Sequence, residues 1–191
     1  MNIHIIVSRY NENIEWTKQF KNVIIYNKGK HINNIDNQII LKNVGREGHT
    51  YYKYICDNYY NLPNYIIFLQ GNPFDHSPNI IKNIQKYINN KNLNLNFAFL
   101  SEDIHCSTLI EQSKKYSQCK NIFTTFEKVF RKTANYNQEC IFGAGAQFIV
   151  SKETILNRNI DFYKNIVELL EYSICPLEGY DIERLHKYIF S

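Results

Sequence analysis

Along this chain, short β-branched runs alternate with segments of helical spacing. Ile3 to Ser8 reads as a strand that ends in the polar RYNEN. Ile14 to Phe20 suits a short helix, and Asn22 to Tyr26 a second strand that stops at the turn signal Asn27-Lys28-Gly29. The polar KHINNIDNQ then leads to a short strand at Ile39 to Leu41. From Arg46 to Tyr60 the apolar positions Tyr52, Ile55 and Tyr59 recur at helical spacing. Leu62-Pro63 closes that helix, and Tyr65 to Leu69 is a buried-strand run that empties into QGNPFDH.

Pro78 is suited to the first turn of the next helix, whose apolar face is Ile81, Ile84 and Ile88, flanked by Ile80 and Tyr87. Leu95 to Leu100 predicts another strand, ending in the acidic SEDIH. Residues 107–133 read as helical, most clearly along Ile122, Phe126, Val129 and Phe130. The glycine-rich GAGAQ enters a strand through Val150, and Ser151 is an N-cap. Two helices close the chain, Asp161 to Tyr172 and Tyr180 to Phe190, separated by Cys175 to Gly179. Strands alternating with helices predict one α/β domain with a mostly parallel sheet over residues 1–191.

Open α/β sheets bind ligands beyond the carboxyl ends of their strands. RYNEN, YNKGK, QGNPFDH and SEDIH all follow predicted strands, so the pattern predicts that they meet on one sheet edge. Arg9 and Arg46 are candidates for gripping phosphate through the guanidinium fork; the plain alternative is an ion pair with Glu12 or Glu47. In QGNPFDH, Gly71 permits close backbone approach, Asn72 offers an amide, and Asp75 can ligate a hard cation. His76 can bind metal, shuttle a proton or cap the loop. Gly143 and Gly145 would let a substrate approach the backbone, but the glycines precede their strand, unlike a dinucleotide fingerprint.

Composition removes several alternatives. The net charge of +4 is spread without a basic block, which argues against nucleic acid as a partner. Five cysteines in no CxxC pair read as free thiols of a reducing compartment. No apolar run reaches the roughly 18 residues of a membrane span, and the first residues are too short a run for a signal peptide, so a soluble cytoplasmic protein is expected. The wealth of Asn, Ile, Lys and Tyr reflects an AT-rich genome.

VSRYNENIEW, IYNKGK, the block from Asn43 to His76, GAGAQFIVSKETI and ERLHKYIF, in that order, resemble a family known only as a domain of unknown function, with members in eukaryotes, bacteria and large DNA viruses. Residues 91–139 carry none of its motifs. The family in turn resembles compact GT-A glycosyltransferases, whose Rossmann-like half holds a nucleotide sugar, commonly with Mn²⁺ or Mg²⁺. That resemblance implies a transferase moving sugar from a nucleoside-diphosphate donor to a hydroxyl acceptor on a glycan, protein or small molecule. It implies donor contacts from Arg9, Tyr10, Asn11, Glu12, Asn27, Arg46, Gln70 and Asn72, and an acceptor side at Gly143, Gly145 and Gln147.

The departure falls at Gln70-Gly71-Asn72, where GT-A enzymes usually carry Asp-x-Asp. Any metal would pass to Asp75 and His76. In the last motif His186 stands where Trp is expected, while Glu183 is kept as the implied catalytic base, with Asp181, better placed as a helix cap, its rival and Asp103 the third candidate. Glu183 lies off the apolar stripe of Ile182, Leu185 and Ile189, and the plain reading is a surface pair with Lys187. Two other functions fit the residues: a nucleotide-sugar or glycan-binding module without turnover, and a metal-dependent hydrolase built on Asp75, His76, Asp103 and His105.

Overall fold

The computed structural model describes every residue except Asn34, Asp36 and Asn37, so part of the polar connection at 30–38 lies outside the described residues. Eight strands and seven helices follow the order β1 (Ile3–Arg9), β2 (Val23–Asn27), β3 (Gln38–Ile40), α1 (Arg46–Asn58), β4 (Tyr65–Gln70), α2 (Ile80–Ile88), β5 (Phe97–Phe99), β6 (Ile104–Thr108), α3 (Leu109–Lys115), α4 (Ile122–Phe130), β7 (Glu139–Gly143), β8 (Phe148–Ser151), α5 (Lys152–Leu156), α6 (Ile160–Leu170) and α7 (Glu178–Ile189). The main sheet has the order β3-β2-β1-β4-β8-β5, and β6 and β7 form a separate antiparallel ribbon.

The central strands are buried on both faces, which is why their sequences are continuous hydrophobic runs. Ile6, Ile66, Phe68, Phe148 and Val150 pack against α1, α4, α6 and α7. Ile5, Val7, Ile67, Leu69 and Ile149 face the other way, onto Ile80 and Ile84 of α2 and onto Trp16. Each strand thus divides its side chains between two hydrophobic layers.

Parallel pairing holds for β1 with β2, β1 with β4, and β2 with β3, but β8 runs antiparallel to both β4 and β5. The sheet is therefore mixed: among the described strands β1 to β5 share one direction and β8 alone runs against them, so it is mostly but not purely parallel. Strand direction has no sequence signal here, because a strand buried on both faces looks the same in either sense.

Other local expectations shift as well. The segment expected as a helix at Ile14 to Phe20 is a 3-10 turn, Glu15–Gln19. Residues 107–133 break into α3, another 3-10 turn and α4, and α3 is opened by a capping box between Thr108 and Glu111. SEDIH leads straight into β6, which pairs with the unforeseen strand β7. The buried face of α2 is Ile80 and Ile84, while Ile88 is exposed, so the apolar stripe sits one position away from its expected place. Ser151 does cap α5, its Oγ accepting from the Thr154 N–H at 3.1 Å. Among the described residues no helix is long and apolar enough to cross a membrane, and all five cysteines are free.

His186 explains its own oddity. Its ring lies against Phe148, Phe190 and Tyr52, with centroids 4.6, 6.5 and 6.1 Å away, in a slot made for an aromatic ring. Both ring nitrogens are buried without a partner, and burial, aided by the Arg184 charge, pushes the imidazole pKa down to about 3. The neutral ring leaves polar atoms unsatisfied, and each such atom costs about 1–3 kcal/mol. His186→Phe should therefore raise stability by about 1–2 kcal/mol. Because the unfolded imidazole binds protons that the folded one refuses, His186 also drains stability as pH falls below its unfolded value toward 3. The variant should show a shallower acid loss in urea titrations run at several pH values. An unchanged midpoint at all of them would contradict this account.

Candidate functional site

Strand order reverses between β1 and β4, and the loops leaving β1, β2 and β4 meet there around a cleft of about 680 Å³. Arg9, at the end of β1, is buried and holds the loops together. Its Nε donates to the Glu12 carbonyl at 2.9 Å, and one terminal nitrogen reaches Asn27 Oδ1 at 2.8 Å, the Lys30 carbonyl at 2.9 Å and the Tyr10 carbonyl at 3.3 Å. Asn27, fully buried at the end of β2, also accepts from the Gly29 N–H. Asn11 Oδ1 accepts from the Lys30 N–H at 3.0 Å. Gly29 is needed there, since a Cβ would fall 1.4 Å from the Tyr10 carbonyl oxygen.

Arg9, Asn11, Glu12 and Asn27 are thus neighbours despite their separation in sequence. Arg9 and Glu12 line the cleft with half-exposed Tyr10, whereas Asn11 and Asn27 brace it from behind. Glu12 also accepts from the Tyr10 N–H at 2.7 Å and lies against Gly71, where a Cβ would stand 2.5 Å from its Oε2. It makes no ion pair with Arg9; the contact runs through the Glu12 backbone.

The opposite wall is the start of α1. Gly45 takes a left-handed conformation at φ 65°, and its N–H donates to the Ser173 carbonyl at 2.8 Å, tying α1 to the segment between α6 and α7. Ile174 and Cys175 of that segment also line the cleft. Arg46 lies over the Tyr180 ring at 4.0 Å and pairs with Glu47 at 3.7 Å.

Lys28 crosses from β2 to this wall. Its buried ammonium donates to the Val44 carbonyl at 2.6 Å and to the Arg46 carbonyl. An ammonium has three donors, so one is left for the cleft that Lys28 lines. Burial pulls its pKa down to about 8, with Glu47 opposing. Between about 8 and the unfolded value the unfolded chain holds more protons, so this group makes stability rise with pH across that window. An anion seated against Lys28 would respond the other way, because the charge that would attract it is lost as pH rises through about 8. Pyrophosphate titrations should show affinity falling about tenfold across this transition, and Lys28→Met should bind weakly with a flat profile. A wild-type affinity independent of pH in this range would remove Lys28 from the anion site.

QGNPFDH supplies the cleft floor. Half-buried Gln70, Gly71, exposed Asn72 and exposed Asp75 line it, and Asn72 donates to Asp75 Oδ1 at 3.2 Å. His76 turns away from Asp75's cleft and packs beside Gly145, whose Cβ would come within 3.0 Å of the ring. Asp103 and His105 pair with each other at 3.1 Å on the exposed ribbon. Among the described residues no three His, Cys, Asp or Glu side chains gather as a metal cluster. Gln147 is buried and works structurally: its amide donates to the Pro73 carbonyl at 2.9 Å, pinning the loop. Gly143 is forced by packing, since a Cβ would lie 2.9 Å from the Ser101 side chain.

Glu183 faces neither solvent nor Lys187, which pairs with Glu139 instead. Its buried carboxylate accepts from the Gly145 N–H at 3.0 Å and pairs with Arg184 at 2.9 Å. Burial, with Glu47 nearby, raises its pKa, while Arg184, Arg46 and the Gly145 N–H pull it back. Asp181 is not a cap, because α7 begins three residues earlier, at Glu178. It is wholly buried against α4, where Oδ2 accepts from Thr125 at 2.6 Å and Oδ1 has no partner. Burial raises its pKa to about 7.

Residues 5–191 match the family described as Protein of unknown function (DUF3431). The chain belongs to this family. No curated protein and no solved structure matches it. In this DUF3431 domain the cleft brings together Arg9, Tyr10, Glu12, Arg46, Gln70, Asn72 and Asp75 of the expected residues. The lining residues that were not read as site candidates are Ser8, Lys28, Asn43, Ile174 and Cys175, together with Glu47, which was expected only as an ion-pair partner. Lys28 had a signal, a lone cation between Asn27 and Gly29 at the end of a core strand. The DUF3431 segment at 174–175 had none, since its place depends on how α6 and α7 pack.

Proposed function

We propose that the domain is a nucleotide-sugar-dependent glycosyltransferase of GT-A type. The convergence of the β1, β2 and β4 loops with the α1 N-terminus around one cleft that holds three cationic side chains, Arg9, Lys28 and Arg46, carries this reading. A diphosphate would lie against Lys28 and Arg46, whose charges offset the negative charge that develops on the leaving group. An acceptor hydroxyl would approach beside Gly145, and Glu183 would take its proton as the donor bond opens. The acceptor oxygen gains the sugar, the diphosphate leaves with the bonding pair, and the proton passes to the carboxylate.

The cleft's carboxylates, Glu12, Glu47 and Asp75, do not gather as a metal cluster among the described residues, so a divalent cation suits this donor set poorly. Asp75 is its one carboxylate in QGNPFDH, its Oδ1 is already engaged by Asn72, and His76 lies on the Gly145 side. No step is assigned to a metal. A binding module without turnover is favoured by one observation, the neutral Gln70 and Asn72 at the strand end. Thermal shift against a panel of nucleoside-diphosphate sugars, with and without Mn²⁺, tests the reading. A ligand at a hundred times its Kd should add about 2.7 kcal/mol. Stabilisation together with sugar transfer supports the enzyme, stabilisation without turnover the binding module, and no shift with any nucleotide sugar removes both.

A further inference from the structure

The loops leaving β1 and β4 enclose a second groove of about 520 Å³, lined by Glu12, Asn13, Glu15, Trp16, Asn72 and Phe74. Glu12 and Asn72 line the cleft as well, so the groove and the cleft share that rim. Trp16 and Phe74 are half-buried: each packs partly on the hydrophobic layer under α2 and leaves the rest of its ring to the groove. The indole is fixed before any ligand arrives. Its Nε1 donates to the Gly71 carbonyl at 3.0 Å, and its ring meets Phe74 edge-on at 6.0 Å and Phe20 at 6.5 Å. Gln147, donating to the Pro73 carbonyl at 2.9 Å, steadies the facing wall. An aromatic side chain held in this way loses little freedom on binding.

The polar rim selects the ligand. Asn13 Oδ1 accepts from the Glu15 N–H at 2.8 Å, which leaves the Asn13 amide donors; Asn72 donates to Asp75 and keeps its own Oδ1 as an acceptor. Glu15 pairs with Lys18 at 2.6 Å, and Glu12 accepts from the Tyr10 N–H at 2.7 Å. Donors and acceptors beside a fixed aromatic face match a pyranose. Its C–H groups suit the electron-rich face of an indole, and each of its hydroxyls both donates and accepts. An organic cation would instead want unpaired carboxylates around the rings and no donors. We propose that this groove is a carbohydrate subsite, in which one ring of a neutral glycan lies on Trp16 with its hydroxyls on Asn13, Asn72 and Glu12. From there the glycan runs over Glu12 and Asn72 into the cleft, which makes an oligosaccharide the acceptor. The acceptor role rests on the transferase reading of the cleft; the subsite does not.

Trp16 is the only tryptophan in the chain, so its fluorescence reports this groove directly. The probes are neutral tetrasaccharides of glucose, mannose, galactose and N-acetylglucosamine, with tetramethylammonium and free nucleosides as the competing chemistries. At least one tetrasaccharide should change the emission saturably. Calorimetry with that glycan should show binding weakened about fivefold in Trp16→Phe and about threefold in Asn13→Ala, both confirmed as folded by thermal unfolding. Glycan affinity unchanged in both variants places the sugar elsewhere and overturns the subsite. A response to tetramethylammonium or to nucleosides, with none to any glycan, overturns it too, and so does emission that no probe changes. Glycan binding at Trp16 without sugar transfer from any nucleotide sugar keeps the subsite and removes the acceptor role. Sugar transfer to an acceptor that leaves Trp16 emission unchanged, in a protein that no tetrasaccharide affects, removes the subsite and keeps the transferase.

Discussion

Glu183→Gln should lower sugar transfer by about a hundredfold or more while leaving donor affinity nearly unchanged. The amide oxygen can still accept the Gly145 N–H, so the loop keeps its anchor, but the side chain can no longer take a proton. Arg184 loses its carboxylate yet keeps Gln112 and the Tyr180 carbonyl as acceptors, which limits the stability loss to about 1–2 kcal/mol. Steady-state kinetics with the donor identified by thermal shift separates the two effects. Unchanged turnover would falsify the assignment of Glu183 as the base. A proportional loss of turnover and folded fraction would make it a structural residue only.

Arg9→Met should destabilise the domain by about 3 kcal/mol or more, the cost of leaving several buried acceptors without a charged donor. This guanidinium donates to the Glu12, Tyr10 and Lys30 carbonyls and to Asn27 Oδ1, which belong to two separate loops. Although the Lys30 carbonyl keeps Asn27 Nδ2 and Asn27 Oδ1 keeps the Gly29 N–H, among the described residues no other side chain donates to both loops in this way. In a domain of this size the melting midpoint should fall by roughly 6–12 °C. Arg9→Lys should recover only part, because an ammonium lacks the planar fork that reaches both loops. Thermal unfolding checks this directly. A midpoint within a degree or so of wild type, with pyrophosphate affinity lost, would instead make Arg9 a phosphate grip.

The edge rule made the cleft legible in the sequence. Four of the strands predicted from β-branched runs do point their polar ends to one side of the sheet, so RYNEN, YNKGK and QGNPFDH meet there. SEDIH begins at the same edge, with Glu102 bonded to the N–H of Asn79, beside that floor. What the sequence could not display was which of these polar groups is free. Arg9 and Asn27 look available for ligands, yet both are engaged by carbonyls and amides of neighbouring loops. Glu183 was visible as off the apolar stripe, but helical periodicity cannot tell a solvent face from a second buried face, and α7 is covered on both. Asp181 was misplaced for a simpler reason, since α7 starts at Glu178 and moves the cap out of reach. The β6–β7 ribbon was hidden because ECIFG neither alternates nor carries a hairpin turn to IHCST, its partner lying some thirty residues upstream.

The position of β8 has a consequence for how the chain must be made. It fills the gap between β4 and β5, so until residues 148–151 arrive the edge of YIIFLQ stays unpaired and β5 has no neighbour. An uncovered apolar edge of that kind is a template for pairing with other chains. A nascent or truncated chain ending near residue 145 would hold the β1, β2 and β4 loops yet lack the 173–175 wall and expose that edge, and should aggregate rather than stand as a separate half. The cleft loops and the C-terminal part of the chain, with the helix that carries Glu183, are therefore inseparable in synthesis.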